Sequence, residues 1–404
     1  MQQAVRVTEA QAIVLECIRP LGVEKVALLD ALHRVSAEAV TAPRHIPPHD
    51  NSAMDGYAVR HCDVVGATAE RPAVLEVLEI LPAGKVPYHQ VSPGKAIKIM
   101  TGAPLPTGAD TVVQVEHTNA SDTRVEIYRA PRAGSNLRRR GEDITIGECV
   151  VQRNTRLRPA ELGVLASVGK AQILVYQRPR VAILATGDEI ADLGDPDTSD
   201  KIINSNSYTL AGQILEAGGM PLLLGVAPDN REEISQRLAS GLQADILITS
   251  GGVSVGDFDY VRECLDLAGF TIRFWTVALR PGSPVTFGTV GQVPVFSLPG
   301  NPVASMVTFE LFVRPALLQM TGHTDIFRPR LQAAMQDEVK KRQGVRAFLR
   351  GILQQHGGQP VVTTTGPQGS GILRSMSLAN CLIDIPEDVE RLRPGDMVQV
   401  IPLS

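Results

Sequence analysis

Between residues 179 and 325 short apolar runs alternate with amphipathic segments: RVAILAT, SYTLAGQILEAGG, MPLLLGVA, REEISQRLASGLQ, ADILITS, DYVRECLDLAG, VPVFSLP and VASMVTFELFVRPALLQM. Apolar strands alternating with helices predict a mostly parallel sheet covered by helices on both faces. In such sheets ligands bind beyond the carboxyl ends of the strands, where loops and helix N-termini present backbone N–H groups. Function is therefore sought first along that rim.

Three strands end there in polar, glycine-containing loops. They are Thr186-Gly187-Asp188-Glu189, then Thr249-Ser250-Gly251-Gly252-Val253-Ser254-Val255-Gly256-Asp257-Phe258-Asp259, and Pro299-Gly300-Asn301-Pro302. Ser250, Gly251 and Gly252 bring backbone amides close to a phosphate, because glycine lacks the Cβ that blocks such an approach. Asp257 and Asp259 add carboxylates suited to a hard cation such as Mg²⁺ bridging that phosphate. Asn301 is a good N-cap and Pro302 a good first helical residue, so the last loop opens a helix with its positive end at the rim. One glycine-rich turn serves packing as readily as binding. Three on one rim favour a phosphate ligand, without naming it. Gly251, Gly252 and Gly256 have the wrong spacing for a dinucleotide fingerprint, and no Walker A run is present.

Elsewhere the pattern differs. Thr8 and Gln11 have capping-box spacing ahead of Ile13, Val14 and Ile18, which predicts a helix over about 8–18. From about 36 to 150, alternating runs such as Ala73 to Ile80, Lys95 to Met100 and Thr111 to Val115 predict a β-rich region. A linking helix begins near Pro159 and ends at Gly169, and the tail from about 328 returns to short strands of a small barrel or sandwich.

At 404 residues, two to four domains are expected. The 39 Lys and Arg against 43 Asp and Glu give a net charge of −4, which points to neither nucleic acid nor an anionic membrane surface. Five scattered cysteines without a CxxC pair argue against a disulfide framework or structural zinc, and fit a reducing compartment. The N-terminus lacks a signal-peptide pattern and no window approaches ~18 uninterrupted apolar residues, so a soluble cytoplasmic protein is expected.

In the β-rich part, Asn51-Ser52-Ala53-Met54-Asp55-Gly56-Tyr57-Ala58 exposes a carboxylate after the stiff Pro47-Pro48, and Gly141-Glu142-Asp143-Ile144 offers two more. Each alone reads as a turn. The run Arg138 to Arg140 before them reads better as a self-neutralising surface than as a phosphate clamp. His45 and His49 stay unassigned, since Pro47 and Pro48 exclude the helix a metal-binding pair would need.

In this order, Ser52 to Ala58, Thr101-Gly102-Ala103, Gly141 to Ile144, Thr186 to Ile190, Ser205-Asn206-Ser207, Thr249 to Asp259 and Leu298 to Pro302 resemble the bacterial molybdopterin molybdenumtransferase (MoeA) family, related to the C-terminal part of gephyrin. Gly366-Pro367-Gln368-Gly369-Ser370, Ser375-Met376 and Ala379-Asn380 extend the likeness to the tail. The resemblance implies a multidomain α/β and β protein of four domains: 1–25 with 145–178, a β-rich 26–144, an α/β molybdopterin-binding 179–326, and a barrel-like 327–404. It further implies a homodimer with its active site between subunits, and contacts with the adenylyltransferase and with apo-molybdoenzymes. The implied reaction takes adenylated molybdopterin and molybdate, with Mg²⁺, to molybdenum cofactor and AMP.

Carried over, Asp55, Thr101, Asp143, Glu189, Asp229, Asp259 and Arg280 become candidate catalytic residues. Thr186, Gly187, Asp188, Ser205, Asn206, Ser207, Ser250, Gly251, Gly252, Ser254, Gly256 and Pro299 to Pro302 become candidates for holding the pterin nucleotide, and Asp257, Asp259 and Glu189 for metal. In Arg280-Pro281-Gly282-Ser283-Pro284, many members carry lysine at the first and often the fourth position. Arg280 keeps a cation with a different, forked geometry, and Ser283 removes one. Two alternatives remain at this point. An adenylyltransferase is opposed by the long region preceding residue 179, and a cofactor carrier by the retained carboxylates. Turnover unchanged in Asp259→Ala would favour the carrier.

Overall fold

The computed structural model describes residues 4–196, 199–251 and 260–403. The alternating region forms a six-stranded sheet in the order Met220–Ala227, Arg180–Thr186, Ile246–Ser250, Val293–Leu298, Thr286–Val290, Phe270–Phe274. The first four strands are parallel. The last two are antiparallel additions that the alternation does not announce, because Phe270–Phe274 is largely exposed and carries no continuous apolar run.

Both faces of the central strands are covered. Val181 and Ile183 pack with Leu210 and Ile214 of the helix Ser205–Glu216 on one side. Ala182 and Leu184 pack with Ile234 and Leu238 of Arg231–Gly241 and with Val261 and Leu265 of Tyr260–Leu267 on the other. The two-residue strand period sends alternate side chains to opposite cores, and so the strand reads as uniformly apolar.

The β-rich part is a six-stranded sheet ordered Thr111–Gln114, Gly56–Val59, Lys95–Ile99, Ala73–Leu81, Arg124–Ile127, Thr118–Ala120. A helix, Pro159–Ser167, and a strand pair, Val23–Ala27 with Gln172–Tyr176, lie beside it in sequence. In the tail, Arg346–His356, Gln359–Thr364, Leu331–Met335, Met397–Pro402 and Cys381–Ile385 pair in turn, and the last returns to the first, which closes a five-stranded barrel. Closure removes the sheet edges. Leu279–Arg280 pairs in parallel with Arg346 and Ala347, and so joins the α/β unit to the barrel.

The helical run Pro302–Met320 is long and apolar enough to cross a membrane, but 78% of it is buried within the protein. Its middle, Phe309–Val313, widens into a π turn just before Pro315. Proline lacks the N–H that would bond the carbonyl four residues back, and its ring crowds that carbonyl. The carbonyl in question belongs to Leu311, and Gln11 Nε2 donates to it at 3.0 Å. The expected capping box at Thr8 does not form. The N-cap of Val7–Cys17 is Arg6 without a side-chain bond, and Gln11 spends its amide on the proline-orphaned carbonyl instead.

Gln11→Met, which keeps length and loses the donor, should therefore lower stability by about 1–3 kcal/mol in thermal or urea unfolding. In a Pro315→Ala background, where residue 315 regains an N–H, the same change should be nearly silent. Equal losses in both backgrounds would contradict the assignment.

Candidate active site

The rim loops approach one another closely enough that glycine is obligatory. Gly251 has φ +96°, and a Cβ there would sit 2.9 Å from the Thr186 carbonyl oxygen. Gly187 has φ +136°, and a Cβ would stand 2.6 Å from a carboxylate oxygen of Glu189, which folds back over it. Asn206, in the first turn of Ser205–Glu216, ties the other two loops together, because its Nδ2 donates to Ser250 Oγ at 2.9 Å and to the Gly300 carbonyl at 2.8 Å. Asn204 caps that helix, accepting from Ser207 N at 3.2 Å and donating to Ser207 Oγ at 2.9 Å.

These residues enclose a cleft of about 690 Å³. Thr186, Glu189, Ser205, Asn206, Ser250, Gly251 and Pro299 to Pro302 line it, as does the barrel-side pair Gly371 and Leu373. Gly187 and Asp188, between the lining residues Thr186 and Glu189, do not themselves line it. Ser207 is buried and held by Asn204, so its part is to fix the helix start. Asn301 makes no side-chain capping bond, contrary to expectation, and is left facing the cleft. Gly252, Ser254, Gly256, Asp257 and Asp259 lie outside the described residues.

Carboxylates gather at one edge. Asp188 Oδ1 accepts from the Asp229 backbone N–H at 3.0 Å. Loss of solvation first, and then the charges of Asp188 and Glu189, push the Asp229 carboxyl above its ordinary value. Among the described residues no three metal-type side chains converge into a cage.

The opposite edge is cationic. A second cavity of about 400 Å³ shares Pro284, Pro299 and Asn301 with the cleft, so the two adjoin. Arg280, Lys341 and Arg342 line it, and among the described residues no carboxylate does. Gly282, at φ +110°, presses Arg280-Pro281-Gly282-Ser283 against the Pro302 helix, where a Cβ would meet Thr308 at 2.5 Å.

The barrel contributes Gln368, Gly369 and Ser370 to the wall. That loop is organised by Arg350, which has no exposed surface. Its Nη2 donates to the Gly369 carbonyl and its Nε to Ser375 Oγ, both at 2.9 Å. Burial pulls its pKa down, and its Nη1 has no partner among the described residues. The Ser370 carbonyl accepts from Val303 N at 3.0 Å, pinning the loop to the helix. Sequence reasoning missed Arg350, Lys341 and Arg342; for Arg350 the available signal was an arginine between the apolar residues Leu349 and Ile352 of the strand Arg346–His356.

In the β-rich part, Asp55 Oδ1 accepts from Thr101 N and Thr101 Oγ1, each at 2.7 Å. The backbone N–H first and the hydroxyl second hold its carboxyl below the usual range. Leu137–Arg138 pairs with Asn51–Ser52, bringing the two sequence motifs side by side. Asp50 accepts from Arg139 Nη1 at 2.7 Å and Arg140 N at 2.8 Å, as a self-neutralising surface requires. Asp143 is exposed, and its N–H donates to the Ile46 carbonyl at 3.1 Å. Asp55, Thr101 and Asp143 line neither cavity.

Asp229 offers a signed test. Its raised folded value means that the charged form is penalised at neutral pH and relieved on protonation. Asp229→Asn should therefore stabilise the metal-free protein at pH 7, by no more than about 1 kcal/mol. The advantage should fade as pH falls toward the unfolded value of about 3.9. Thermal melts across pH check it, and a variant less stable at pH 7 would refute it.

Comparison with known proteins follows these features along the whole chain. Family models described as "MoeA N-terminal region (domain I and II)", "Probable molybdopterin binding domain" and "MoeA C-terminal region (domain IV)" match residues 5–169, 182–319 and 332–403. A molybdopterin molybdenumtransferase 2 of Mycobacterium tuberculosis is 38% identical, covering 98% of this chain and 99% of its own. A molybdopterin molybdenumtransferase of Bacillus subtilis is 36% identical, over 94% and 89%. The crystal structure of a molybdopterin biosynthesis MoeA protein from Pyrococcus horikoshii superimposes with a TM-score of 0.85 at 32% identity, covering 99% and 100%. The chain belongs to the molybdopterin molybdenumtransferase family.

Proposed function

We propose that this molybdenumtransferase takes adenylated molybdopterin and molybdate to molybdenum cofactor with release of AMP, placing the nucleotide phosphates in the 690 Å³ cleft and the oxyanion in the adjoining cavity. The carrying observation is the contrast between two adjoining spaces: Glu189 lines the cleft, near enough with Asp188 to act on Asp229, while Arg280, Lys341 and Arg342 line the cavity beside it. The phosphates would meet Ser250, Gly251 and the Pro299–Pro302 turn. Arg280 would meet molybdate.

The residues present fit Mg²⁺. Burial first, and then the charges of Asp188 and Glu189, raise the Asp229 carboxyl above its ordinary value, and a cation beside these carboxylates would relieve the charge part. Mg²⁺ keeps several waters and takes one or two carboxylates plus substrate phosphates, so a three-residue protein cage is not required. Glu189, with Asp257 and Asp259, would hold it, and bound there it would neutralise charge developing on the phosphoanhydride. Asn206 fixes Ser250 and Gly300, and Glu189 folded over Gly187 keeps the acidic edge beside the phosphates.

Asp55, Thr101 and Asp143 line neither of these two cavities, which supports a homodimer in which they complete the partner's site. The absence of clustered cysteines supports a cytoplasmic setting, in which the adenylyltransferase and apo-molybdoenzymes would be donor and acceptor.

Purified protein with adenylated molybdopterin and Mg²⁺ should release AMP faster with molybdate and activate a molybdenum-free reductase, and chelation should stop both. Tight binding without hydrolysis would point to a carrier instead. Asn206→Ala should lower kcat/KM for the nucleotide about 30-fold, as expected for two lost bonds worth about 2 kcal/mol together. Co-expressing Asp55→Ala and Asn206→Ala chains should restore up to about one quarter of the activity through mixed dimers with one intact site. No restoration would place the whole site within one subunit.

A further inference from the structure

Resting on the cavity as oxyanion site, we infer that Arg342 is a second binding residue for the tetrahedral oxyanion, and that Lys341 is the positioning residue that holds it there. Both sit in the five-residue turn 341–345 between the barrel strands Val339–Lys340 and Arg346–His356. Neither belongs to any loop along the α/β rim.

The Lys341 ammonium donates to the carbonyls of Val345 at 2.8 Å, Glu387 at 3.3 Å and Arg342 at 3.4 Å. An ammonium has three protons and no acceptor capacity, so these carbonyls use it up and leave no proton for a ligand. Its work is to fold the turn. Two backbone bonds stitch that turn to the neighbouring segment: Lys341 N to the Glu390 carbonyl and Gly344 N to the Glu387 carbonyl, both at 2.9 Å. Gly344, at φ +81°, gives the reversal that a Cβ would strain.

Arg342 is left on the cavity wall in the opposite condition. Among the described residues its guanidinium has no side-chain hydrogen bond and no ion pair, although Glu387, Asp388 and Glu390 lie near Lys341. Arg280, on the wall supplied by the α/β unit, is likewise unpaired among the described residues. Two guanidinia, unpaired among the described residues and drawn from two structural units, thus share one cavity whose described lining holds no carboxylate. Their repulsion is relieved by a dianion, and a forked donor on each side suits the several oxygens of a tetrahedral one. Arg342 thereby supplies from the barrel a charge that Ser283 does not.

The test is steady-state AMP release by the full-length protein at varied molybdate. Arg342→Ala and Lys341→Met should each raise KM for molybdate about tenfold, with kcat and KM for adenylated molybdopterin within about twofold. Arg342→Lys should recover part of the loss, and Lys341→Arg, which still donates to carbonyls, should recover most of it. Arg280→Ala separates the two levels of the claim. If it leaves KM for molybdate unchanged, the cavity is not the oxyanion site. If it raises that KM while Arg342→Ala does not, only the role of the turn fails. A rise in KM for the pterin nucleotide alone in Arg342→Ala would assign the guanidinium to phosphate and overturn the proposal. Arg342 is exposed, so Arg342→Ala should melt with the parent protein and decides the matter even if Lys341→Met folds poorly.

Discussion

The amide of Asn206 holds the site together. With one nitrogen it binds the hydroxyl that ends one strand and the carbonyl just before the Pro302 helix, and between them the backbone of Gly251 passes within reach of the Thr186 oxygen. A parallel sheet supplies strand ends on one rim, but not the closeness of its loops. That closeness comes from glycines where a methyl group has no room and from one side chain bridging adjacent turns. The cleft is preorganised by these contacts, and its backbone amides can act on an anion without first rearranging.

A second constraint orders the charges. Carboxylates at the ends of Arg180–Thr186 and Met220–Ala227 repel one another, while cations from Arg280 and the barrel collect in the neighbouring cavity. Among the described residues no ion pair joins the two sets. Separated charges of this kind are a standing demand for a substrate that carries phosphate toward one edge and an oxyanion toward the other. The barrel takes part directly. Leu279–Arg280 is a strand of its wall, and the Gln368–Ser370 loop, folded around buried Arg350, is pinned to the Pro302 helix.

Much of this was legible from residues near one another in the chain. Gly251, Gly300 and Asn206 stand at strand ends or a helix start, and strand-to-helix alternation located those ends. The motifs around Asp55 and Asp143 were recognisable only through their likeness to a family, since a turn with one carboxylate has no signature of its own. What escaped depends on partners distant in sequence. Gln11 was read as half of a local cap, but Pro315 leaves the Leu311 carbonyl without its helical donor, and satisfying it takes precedence. Arg350, Lys341 and Arg342 gained meaning only when the barrel closed against the α/β unit. The antiparallel edge strand Phe270–Phe274 was hidden because an exposed edge carries no continuous apolar run.

The most direct measurement is anomalous diffraction at the molybdenum edge from crystals holding molybdate and adenylated molybdopterin. A peak in the cavity bounded by Arg280, Ser370 and Arg342, with the nucleotide phosphates against Ser250 and Gly251, is the expected result. Molybdenum bound elsewhere, or phosphates seated among Arg280 and Arg342, would contradict the division of the site into a phosphate cleft and an oxyanion cavity.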